Sequence, residues 1–502
     1  MELKQLESYV AVVVYKSFTE AAKQLYISQP TISTHIQALE KELESKLIIR
    51  TTKSIELTPR GMELYECAVK MLDLRDTLLY KWKSSDEKIA EAMNNSDWFA
   101  LDSLYKVEPR DSISRFFEIF SRCLIGNRLN RPDVSIPAFT ELFNTQSENL
   151  DLGNLLNSSI MFAMDLSRIG DNKTAAKMLS LNLDAVRTHL DSATIAGVQQ
   201  YINQYEALSK YNPYKITFEK SLGTIPFEIV PVDSQKNNSV LMHLRNTFIN
   251  SIEADVTFDT GAGANIISDS LALKYNLIPL DASSTVGGVG IQNGSYAIAK
   301  ELKIGDIIVS DVPFYVIDIT TNNEEADKYI DHFSIVVGSE LMLQLKDLTI
   351  DFVNNEITVP SVAPERSQTS ANMCFSSSMN LLSKGVVQGN KMLMNIDTGD
   401  ASYGSLGKVF FEDNKEYITT HCKLDTIRNA GIGGVNISEC YRVPNLSIEL
   451  GNNEIKAPEI VVVLKDNMGG AFGYECNLGL KSLMLFSKVR FNLVDFVLTT
   501  SK

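Results

Sequence analysis

The sequence has few of the residues and segments that are typical of metal-binding, secreted or membrane proteins. Its 502 residues include six cysteines and five histidines, with no CxxC pair and no Cys/His cluster at zinc spacing. No apolar run reaches the roughly 18 residues of a membrane span, and no basic stretch followed by an apolar core opens the chain. We therefore expect free thiols, no metal or other cofactor, no membrane partner and a cytoplasmic location.

Basic residues are also in the minority, with 47 Lys and Arg against 62 Asp and Glu and a net charge of −15. This balance excludes a protein that coats nucleic acid with its whole surface. The charge is unevenly spread, because residues 1–83 contain 12 basic and 11 acidic side chains, a net of +1, and the rest of the chain carries −16. A small DNA-binding module at the N-terminus is therefore compatible with the acidic total.

Length and composition predict a multidomain globular protein of about three domains, since 44% of the residues are hydrophobic and 22% are charged. Helical periodicity dominates the first 212 residues, and short Val/Ile/Phe runs separated by Gly, Asn and Asp follow. The predicted domains are an all-α module with a small hairpin (1–83), a helical-repeat-like, tetratricopeptide-like middle (84–212) and two all-β lobes (213–360 and 371–502) joined by a Ser/Pro-rich linker.

The N-terminal module has the pattern of a helix-turn-helix followed by a hairpin. Ser17 and Glu20 have capping-box spacing, and a second helix is predicted after Ser28. A long helix over 59–82 is predicted from Thr58 as its N-cap, with proline at the first helical position. The polar residues predicted to contact base edges and phosphates are Gln29, Thr31, Ser33, Thr34, His35 and Gln37 on the second helix, with Arg50 and Lys53 on the hairpin. Ser28 and Pro30, at the start of that helix, complete the predicted DNA-binding set.

These segments resemble the winged helix-turn-helix of LysR-type transcription regulators. The resemblance runs from residue 1 to about 82 and rests on SFTEAAKQLY (17–26), ISQPTIS (27–33), LEKEL (39–43) and RTT…LTPRG (50–61). It implies a bacterial regulator that binds double-stranded DNA through residues 1–60. It also implies a homodimer formed through the 59–82 helix.

For that pairing the long helix has an apolar stripe of Leu64, Ala68, Met71, Leu78 and Leu79. The alternating β-α pattern of the family's effector-binding subdomains is missing, so effector control does not carry over. The alternative is a helix-turn-helix fold kept only for packing or dimerisation.

The all-β part contains the tripeptide Asp-Thr-Gly twice, at 259–261 and 397–399, each after an apolar strand. A Gly-rich hairpin pattern follows each copy, and then Val-Val-Gly at 336–338 is mirrored by Asn-Leu-Gly at 477–479. The copies are 138 residues apart at the aspartates and 141 apart at the later glycines. Motifs in the same order at a nearly constant offset predict an internal duplication.

The duplicated unit, over about 215–502, resembles the clan-AA aspartic peptidases. It is retropepsin-like in each half and pepsin-like in having two lobes on one chain. The resemblance implies an endopeptidase that cleaves polypeptides with Asp259 and Asp397 as the catalytic pair. It implies further that Thr260 and Thr398 connect the active-site loops, that Gly261 and Gly399 allow their turns, and that the flaps contain Gly287, Gly288, Gly290, Gly431, Gly433 and Gly434.

One residue departs from this family pattern. Asp400 follows the second Asp-Thr-Gly, where the family has Ala or Ser, and an added carboxylate makes the catalytic pair hold its proton more tightly. Two functions therefore stay open: an aspartic endopeptidase carrying a sequence-specific DNA-binding domain, and a LysR-type regulator whose protease-like lobes sense or bind peptides without cleaving them.

The origin of the chain also stays open. The protease-like part alone would resemble exported bacterial enzymes, yet a DNA-binding module precedes it. The fusion is natural, engineered or an assembly artefact, and the sequence is compatible with all three origins.

Overall fold

The computed structural model describes residues 1–50, 55–232, 239–287, 291–319, 331–367, 369–376, 378–431, 434–464 and 474–502. The chain forms two compact units. The first consists of residues 1–95 and 107–114, and the second of residues 96–106 and 115–502. Among the described residues, no helix is both long enough and apolar enough to cross a membrane.

The first unit is a small helical bundle with a two-stranded wing. Its elements are α1 (Leu3–Tyr15), α2 (Phe18–Gln24), α3 (Gln29–Glu42), β1 (Ile48–Arg50), β2 (Ile55–Leu57), α4 (Pro59–Trp82) and α5 (Ser85–Asn94). Strands β1 and β2 pair antiparallel, with Ile48 opposite Leu57. The core contains Tyr9, Ile32 and Leu39, all of them fully buried. The winged helix-turn-helix expected from the sequence is confirmed.

The long helix α4 begins and ends where the sequence predicted. The Thr58 hydroxyl accepts a hydrogen bond from the Gly61 N–H at 2.9 Å, which is the expected N-cap. The Tyr9 hydroxyl donates to the Gly61 carbonyl at 2.7 Å and ties this helix end to α1. A Cβ at Gly61 would lie 2.2 Å from the Leu47 carbonyl oxygen, so this close approach needs glycine.

The capping box predicted at α2 is half formed. The Ser17 hydroxyl accepts from the Glu20 N–H at 3.2 Å, as expected. The Glu20 carboxylate accepts instead from Lys23 at 3.3 Å and from Gln24 at 3.2 Å. These donors stand three and four residues along the same helix face, and they compete successfully for the carboxylate.

The second unit opens with a helix-rich segment. Its helices are α6 (Trp98–Val107), α7 (Arg115–Arg128), α8 (Pro132–Thr145), α9 (Leu152–Arg168), α10 (Asn172–Val186) and α11 (Ser192–Leu208). Asp151, Asp171 and Asp191 cap α9, α10 and α11 by accepting a hydrogen bond from the N–H three residues on. The buried Asp165 carboxylate accepts from Ser135 at 2.6 Å and from Asn127 at 3.0 Å, which satisfies it inside the helical layer.

The rest of the second unit is β-rich. Its earlier elements are β3 (Lys215–Phe218), β4 (Leu222–Pro231), β5 (Val240–Leu244), β6 (Thr247–Ile249), β7 (Ile252–Glu253), β8 (Val256–Phe258), β9 (Ile266–Ser268), α12 (Asp269–Lys274), β10 (Ile278–Gly287), β11 (Ile291–Ile304), β12 (Ile307–Ile317), β13 (Ile335–Val337), α13 (Ser339–Leu345), β14 (Asp347–Asp351) and β15 (Glu356–Pro360).

The later elements are β16 (Met373–Phe375), β17 (Leu381–Val387), β18 (Asn390–Asp397), β19 (Gly404–Leu406), α14 (Lys408–Asp413), α15 (Lys415–His421), β20 (Lys423–Gly431), β21 (Gly434–Leu450), β22 (Asn453–Val463), β23 (Cys476–Gly479), α16 (Leu480–Leu483), β24 (Lys488–Asn492) and β25 (Val497–Ser501). Strands β3–β15 join β24 and β25 in one sheet, and β16–β23 form a second. One hydrophobic core, which includes Phe258, Ile396 and Phe491, spans both sheets.

Candidate active site and nucleic-acid interface

Two aspartates meet at the ends of two buried strands. Asp259 follows β8, and Asp397 is the last residue of β18. A Cβ on Gly261 would lie 2.5 Å from the Asp397 carboxyl carbon, and a Cβ on Gly399 would lie 2.4 Å from that of Asp259. Each carboxyl therefore rests against the glycine of the opposite loop. Any side chain at these glycines would push the two carboxyls out of place.

The two loops are joined by reciprocal hydrogen bonds between buried threonines. The Thr260 N–H donates to the Thr398 hydroxyl at 3.0 Å, and the Thr398 N–H donates to the Thr260 hydroxyl at 3.1 Å. The Thr260 hydroxyl in turn donates to the Ile396 carbonyl at 2.5 Å, and the Thr398 hydroxyl to the Phe258 carbonyl at 2.7 Å. Residues 138 positions apart in sequence thus fix each other's backbone.

Backbone donors hold one oxygen of each carboxyl. Asp259 Oδ1 accepts from the N–H of Gly261 at 2.8 Å and of Ala262 at 3.1 Å. Asp397 Oδ1 accepts from the N–H of Gly399 at 2.9 Å and of Asp400 at 3.0 Å. Both carboxyls therefore point into the same space with fixed orientation.

The electrostatics of this site favour one shared proton. Burial raises the pKa of Asp259 despite the backbone donors. Burial, then the Asp259 carboxylate and then the Asp400 carboxylate raise the pKa of Asp397 well above its usual range. Two adjacent carboxyls of this kind titrate as a pair, with one of them neutral while the other is ionised.

Two asparagines that sequence reasoning missed complete the surroundings of Asp397. The Asn477 side-chain amide donates to Asp397 Oδ2 at 3.0 Å and to Asp400 Oδ2 at 2.8 Å. The Asn395 amide donates to the Asn477 side-chain oxygen at 2.7 Å. The available signal was the asparagine at 477, which occupies the place of a valine in the otherwise matching Val-Val-Gly at 336–338.

The predicted flaps correspond to two antiparallel hairpins. Gly287 pairs with Ile291 between β10 and β11, and Gly431 pairs with Gly434 between β20 and β21. Gly288, Gly290 and Gly433 lie outside the described residues. Among the described residues, no group of three or more His, Cys, Asp or Glu side chains is arranged to hold a metal ion.

Eight of the predicted DNA-contacting residues lie at the N-cap and in the first nine residues of α3. Ser28 caps the helix by accepting from the Thr31 N–H at 3.2 Å. The Gln29 amide donates to the Ser33 hydroxyl at 3.3 Å, and the Thr34 hydroxyl donates to the Pro30 carbonyl at 3.0 Å. The exposed members of the set are Ser28, Gln29, Pro30, Thr34 and Gln37, and the half-buried ones are Thr31, Ser33 and His35.

Two of the other predicted contacts have partners inside the first unit. His35 Nδ1 is hydrogen-bonded to the buried Ser8 hydroxyl at 2.7 Å, so one face of its ring belongs to the packing of α1 on α3. The exposed Arg50 on the wing places its guanidinium 3.6 Å from the centroid of the Phe18 ring, a cation–π contact. Lys53 lies outside the described residues.

The predicted apolar stripe of α4 divides between two environments. Ala68 is fully buried, and Leu64 packs against the same core of the first unit, so these two residues do not belong to an outward stripe. The correction follows from the position of α4, which packs against α1. Met71, Leu78 and Leu79 are exposed, and they lie among a larger exposed set that also contains Met62, Val69, Leu74, Tyr80 and Trp82.

Comparisons with known proteins match two parts of the chain. A family described as "Bacterial regulatory helix-turn-helix protein, lysR family" matches residues 3–62, and a family described as "Aspartyl protease" matches residues 247–336. The HTH-type transcriptional regulator BudR of Klebsiella aerogenes is 43% identical over 110 residues, which are 22% of this chain and 74% of that protein.

BudR of Raoultella terrigena is 44% identical over 96 residues, which are 19% of this chain. The chain spans about a third of that relative's length, 32%. Among solved structures, a BenM_DBD/catB site 1 DNA complex has 43% identity, covers 16% of this chain and 89% of that chain, and gives a TM-score of 0.16.

Proposed function

We propose that this chain, which belongs to the lysR family of bacterial regulatory helix-turn-helix proteins, is a DNA-binding transcription regulator that also carries an aspartic endopeptidase. The observation that carries the second half of this proposal is the meeting of Asp259 and Asp397 across the reciprocal threonine contacts. The aspartyl protease match over residues 247–336 includes the first of these aspartates.

The pairing of the strands supports a duplicated, two-lobed protease fold. Strand β8 pairs in parallel with β13, and β18 pairs in parallel with β23. Strand β9 lies antiparallel to β13 and parallel to β12, and β19 has the same relation to β23 and β22. Hairpin β10–β11 likewise corresponds to β20–β21.

The contact between β14 and β24 supports a two-fold axis between the copies. Thr349 lies opposite Arg490 in this antiparallel pair. These residues are 141 positions apart, which is the offset between the copies, so they occupy equivalent positions. When equivalent residues of two copies pair with each other, the copies are related by rotation about that point. The domain limits 213–360 and 371–502 follow as part of the proposal.

The geometry suits hydrolysis of a peptide bond by an acid–base pair. The ionised member of the dyad takes a proton from a bound water, whose oxygen attacks the scissile carbonyl carbon, while the protonated member donates to the carbonyl oxygen. The tetrahedral intermediate then breaks its C–N bond as the amine takes up a proton. Water and peptide give an acid and an amine, and no external electron donor or acceptor is needed.

An extended polypeptide is the substrate that this site suits best. Hairpins β10–β11 and β20–β21 present strand edges that can hydrogen-bond to an added strand. We assign the flap role to these hairpins, with Gly287, Gly288, Gly290, Gly431, Gly433 and Gly434 at their turns.

The peptidase proposal is tested with denatured, fluorescein-labelled casein and the full-length chain. We expect release of labelled peptides by the unchanged protein and at least a 1,000-fold lower rate in Asp259→Asn and in Asp397→Asn, because each variant lacks half of the dyad. Glu475→Gln removes an exposed carboxylate near the site and serves as the control. Hydrolysis that survives both dyad changes would refute the assignment.

For the DNA-binding half, we assign double-stranded DNA to residues 1–60, with α3 in the major groove and the wing on the phosphates. The residues that we assign to this contact are Ser28, Gln29, Pro30, Thr31, Ser33, Thr34, His35, Gln37, Arg50 and Lys53. Homodimerisation through α4 is part of the same proposal, since that helix exposes eight large apolar side chains on the described surface of the unit.

The DNA proposal is tested by selecting bound duplexes from a random pool with the full chain. We expect Arg50→Ala to weaken binding of the selected duplex and to reduce the salt slope by about one, since one phosphate contact is lost. Gln37→Ala should lower the preference for the selected sequence over the starting pool. Lys4→Ala removes an exposed charge from α1 and should leave both quantities unchanged. Failure to enrich any duplex would refute this half.

A second candidate function is a regulator that binds peptides in the β-rich region without cleaving them. The third carboxylate, Asp400, favours it, because it stabilises protons on the dyad and so opposes formation of the ionised base. This alternative predicts DNA binding that shifts with an added peptide and no casein hydrolysis at any pH.

A further inference from the structure

The two aspartates of the dyad differ in the residues at the positions around them. Asp397 has three polar side chains around it: Asn395, Asp400 and Asn477. At the corresponding offsets, the first copy has Thr257, Ala262 and Val336. The second copy therefore has an added acid and an amide at positions where the first copy has an alanine and a valine.

The amide of Asn477 holds the added acid in place. Its nitrogen donates to Asp397 Oδ2 at 3.0 Å and to Asp400 Oδ2 at 2.8 Å. The Asn395 amide donates to the Asn477 oxygen at 2.7 Å, which fixes the amide with its nitrogen toward both carboxyls. The other Asp400 oxygen accepts from the Ser402 N–H at 2.9 Å and from its hydroxyl at 2.7 Å. Asp400 is thus oriented by three donors.

Two carboxylates and several neutral groups surround Asp397 and Asp400. Asp259 comes from the opposite loop and Asp400 from its own loop. The Tyr474 phenol approaches from the segment before β23, and burial together with the Asp397 and Asp400 carboxylates raises its pKa, so it stays neutral. The Cys476 thiol on β23 is buried, and its pKa is raised in the same way by burial and by Asp400. Asn477 is the neutral donor, and its amide nitrogen is hydrogen-bonded to the carboxyls of both Asp397 and Asp400.

We propose that Asp400, held beside Asp397 by the amide of Asn477, is a positioning carboxylate that makes the dyad keep its shared proton to higher pH and so extends the pH range of peptide hydrolysis on its alkaline side. The inference rests on the proposed endopeptidase function. A carboxyl dyad loses activity when its shared proton leaves, because no acid then remains to protonate the carbonyl oxygen. The carboxylate of Asp400, which shares the Asn477 amide with Asp397, opposes the loss of this proton by charge repulsion.

The Asn477 amide also limits how far the added carboxylate raises the pKa of Asp397. The hydrogen bond that Asn477 donates to Asp397 lowers the pKa of Asp397, and so it offsets part of the rise that burial, Asp259 and Asp400 cause. The proton is then placed on Asp397, which faces two carboxylates, and the base role falls to Asp259, which faces one. The added carboxylate of Asp400 therefore assigns the two chemical roles.

The test is the pH profile of casein hydrolysis by the full-length chain and its Asp400→Asn variant. Asparagine keeps the size of the side chain and removes its charge. We expect the alkaline limb of kcat/KM to move down by about one to two pH units, with little change in the acid-side maximum. Asp400→Ala, which copies residue 262 of the first half, should move it in the same direction. Glu475→Gln, an exposed charge change nearby, should leave the profile in place.

A second readout does not depend on hydrolysis. A carboxyl with a raised folded-state pKa contributes stability that is present below its unfolded pKa, about 4, and is lost as pH rises through the folded value. The Tm of the unchanged protein should therefore fall relative to that of Asp400→Asn between pH 4 and pH 8. This pH-dependent difference should shrink in an Asp397→Asn background, where the coupled partner is missing.

The outcomes separate the two levels of the proposal. Superimposable pH profiles and parallel Tm curves for the unchanged protein and Asp400→Asn would overturn the role of Asp400 even if casein is cleaved. Absence of hydrolysis with a pH-dependent Tm difference would instead refute the endopeptidase and leave the coupling of the carboxyls standing. A difference that is equally large in the Asp397→Asn background would overturn the coupling itself.

Discussion

The threonine contacts between the two Asp-Thr-Gly loops allow a quantitative prediction for Thr398→Val. Valine has nearly the shape of threonine but no hydroxyl, so the change removes polar bonds without opening a cavity. The lost hydroxyl accepts from the Thr260 N–H at 3.0 Å and donates to the Phe258 carbonyl at 2.7 Å. Thr398 is 0% exposed, so water cannot replace these bonds.

Each buried backbone group left without a partner costs about 1–3 kcal/mol. Two such groups predict a loss of about 2–6 kcal/mol in the free energy of unfolding of the β-rich part. Thr398→Ser keeps the hydroxyl and removes one buried methyl group, which predicts a loss of about 1 kcal/mol. Thr426→Val changes an exposed strand residue and should shift stability by no more than about 0.5 kcal/mol.

The assay is guanidinium denaturation of the full-length chain, followed by circular dichroism at a wavelength dominated by β-structure. The transition of the β-rich part should move to lower denaturant in the order Thr426→Val, Thr398→Ser, Thr398→Val, with unchanged slope. Equal losses for Thr398→Ser and Thr398→Val would refute the reasoning, because the hydroxyl would then contribute nothing beyond its neighbouring methyl group.

Two further predictions concern the loops and the sheet. Gly399→Ala would place a Cβ 2.3 Å from an Asp259 carboxylate oxygen, so we expect casein hydrolysis to fall about 100-fold, whereas Gly263→Ala in the same region meets nothing within 4 Å and should keep its activity. Burial opposes ionisation of Asp351, but its ion pair with Lys488 at 2.8 Å and further donors lower its pKa to about 2. This stability is present above about pH 4 and is lost as pH falls toward 2, so Lys488→Met should raise the pH at which Tm begins to drop, and parallel Tm curves would contradict it.

Features set by neighbouring residues were predictable from the sequence. The start of α4 follows from Thr58 and Pro59, because a cap involves atoms within one helical turn. The half-formed capping box at Ser17 shows the limit of such rules, since Glu20 has donors on its own helix that compete for its carboxylate. The local sequence indicates which hydrogen bonds can form, and the folded geometry determines which of the competing bonds forms.

The surroundings of Asp397 show what the sequence pattern left out. The amide of Asn477 reaches Asp397 across 80 residues and Asp400 across 77. No sequence motif marks Asn477 as a partner of Asp397. The parallel pairing of β18 with β23 brings the two residues together. The roles of the residues on α3 and of the flap glycines stay predictions, because they depend on ligands that contact them.

The two functions proposed for the chain have separate structural bases. The core of the first unit consists of its own side chains, such as Tyr9, Ile32 and Leu39. The candidate active site depends instead on contacts between Thr260 and Thr398, which lie 138 residues apart within the second unit. A change that separates the two loops of these threonines removes the juxtaposition of the carboxyls and leaves the core of the helix-turn-helix intact. Loss of hydrolysis with retained DNA binding is therefore the pattern that distinguishes damage to the dyad from general unfolding.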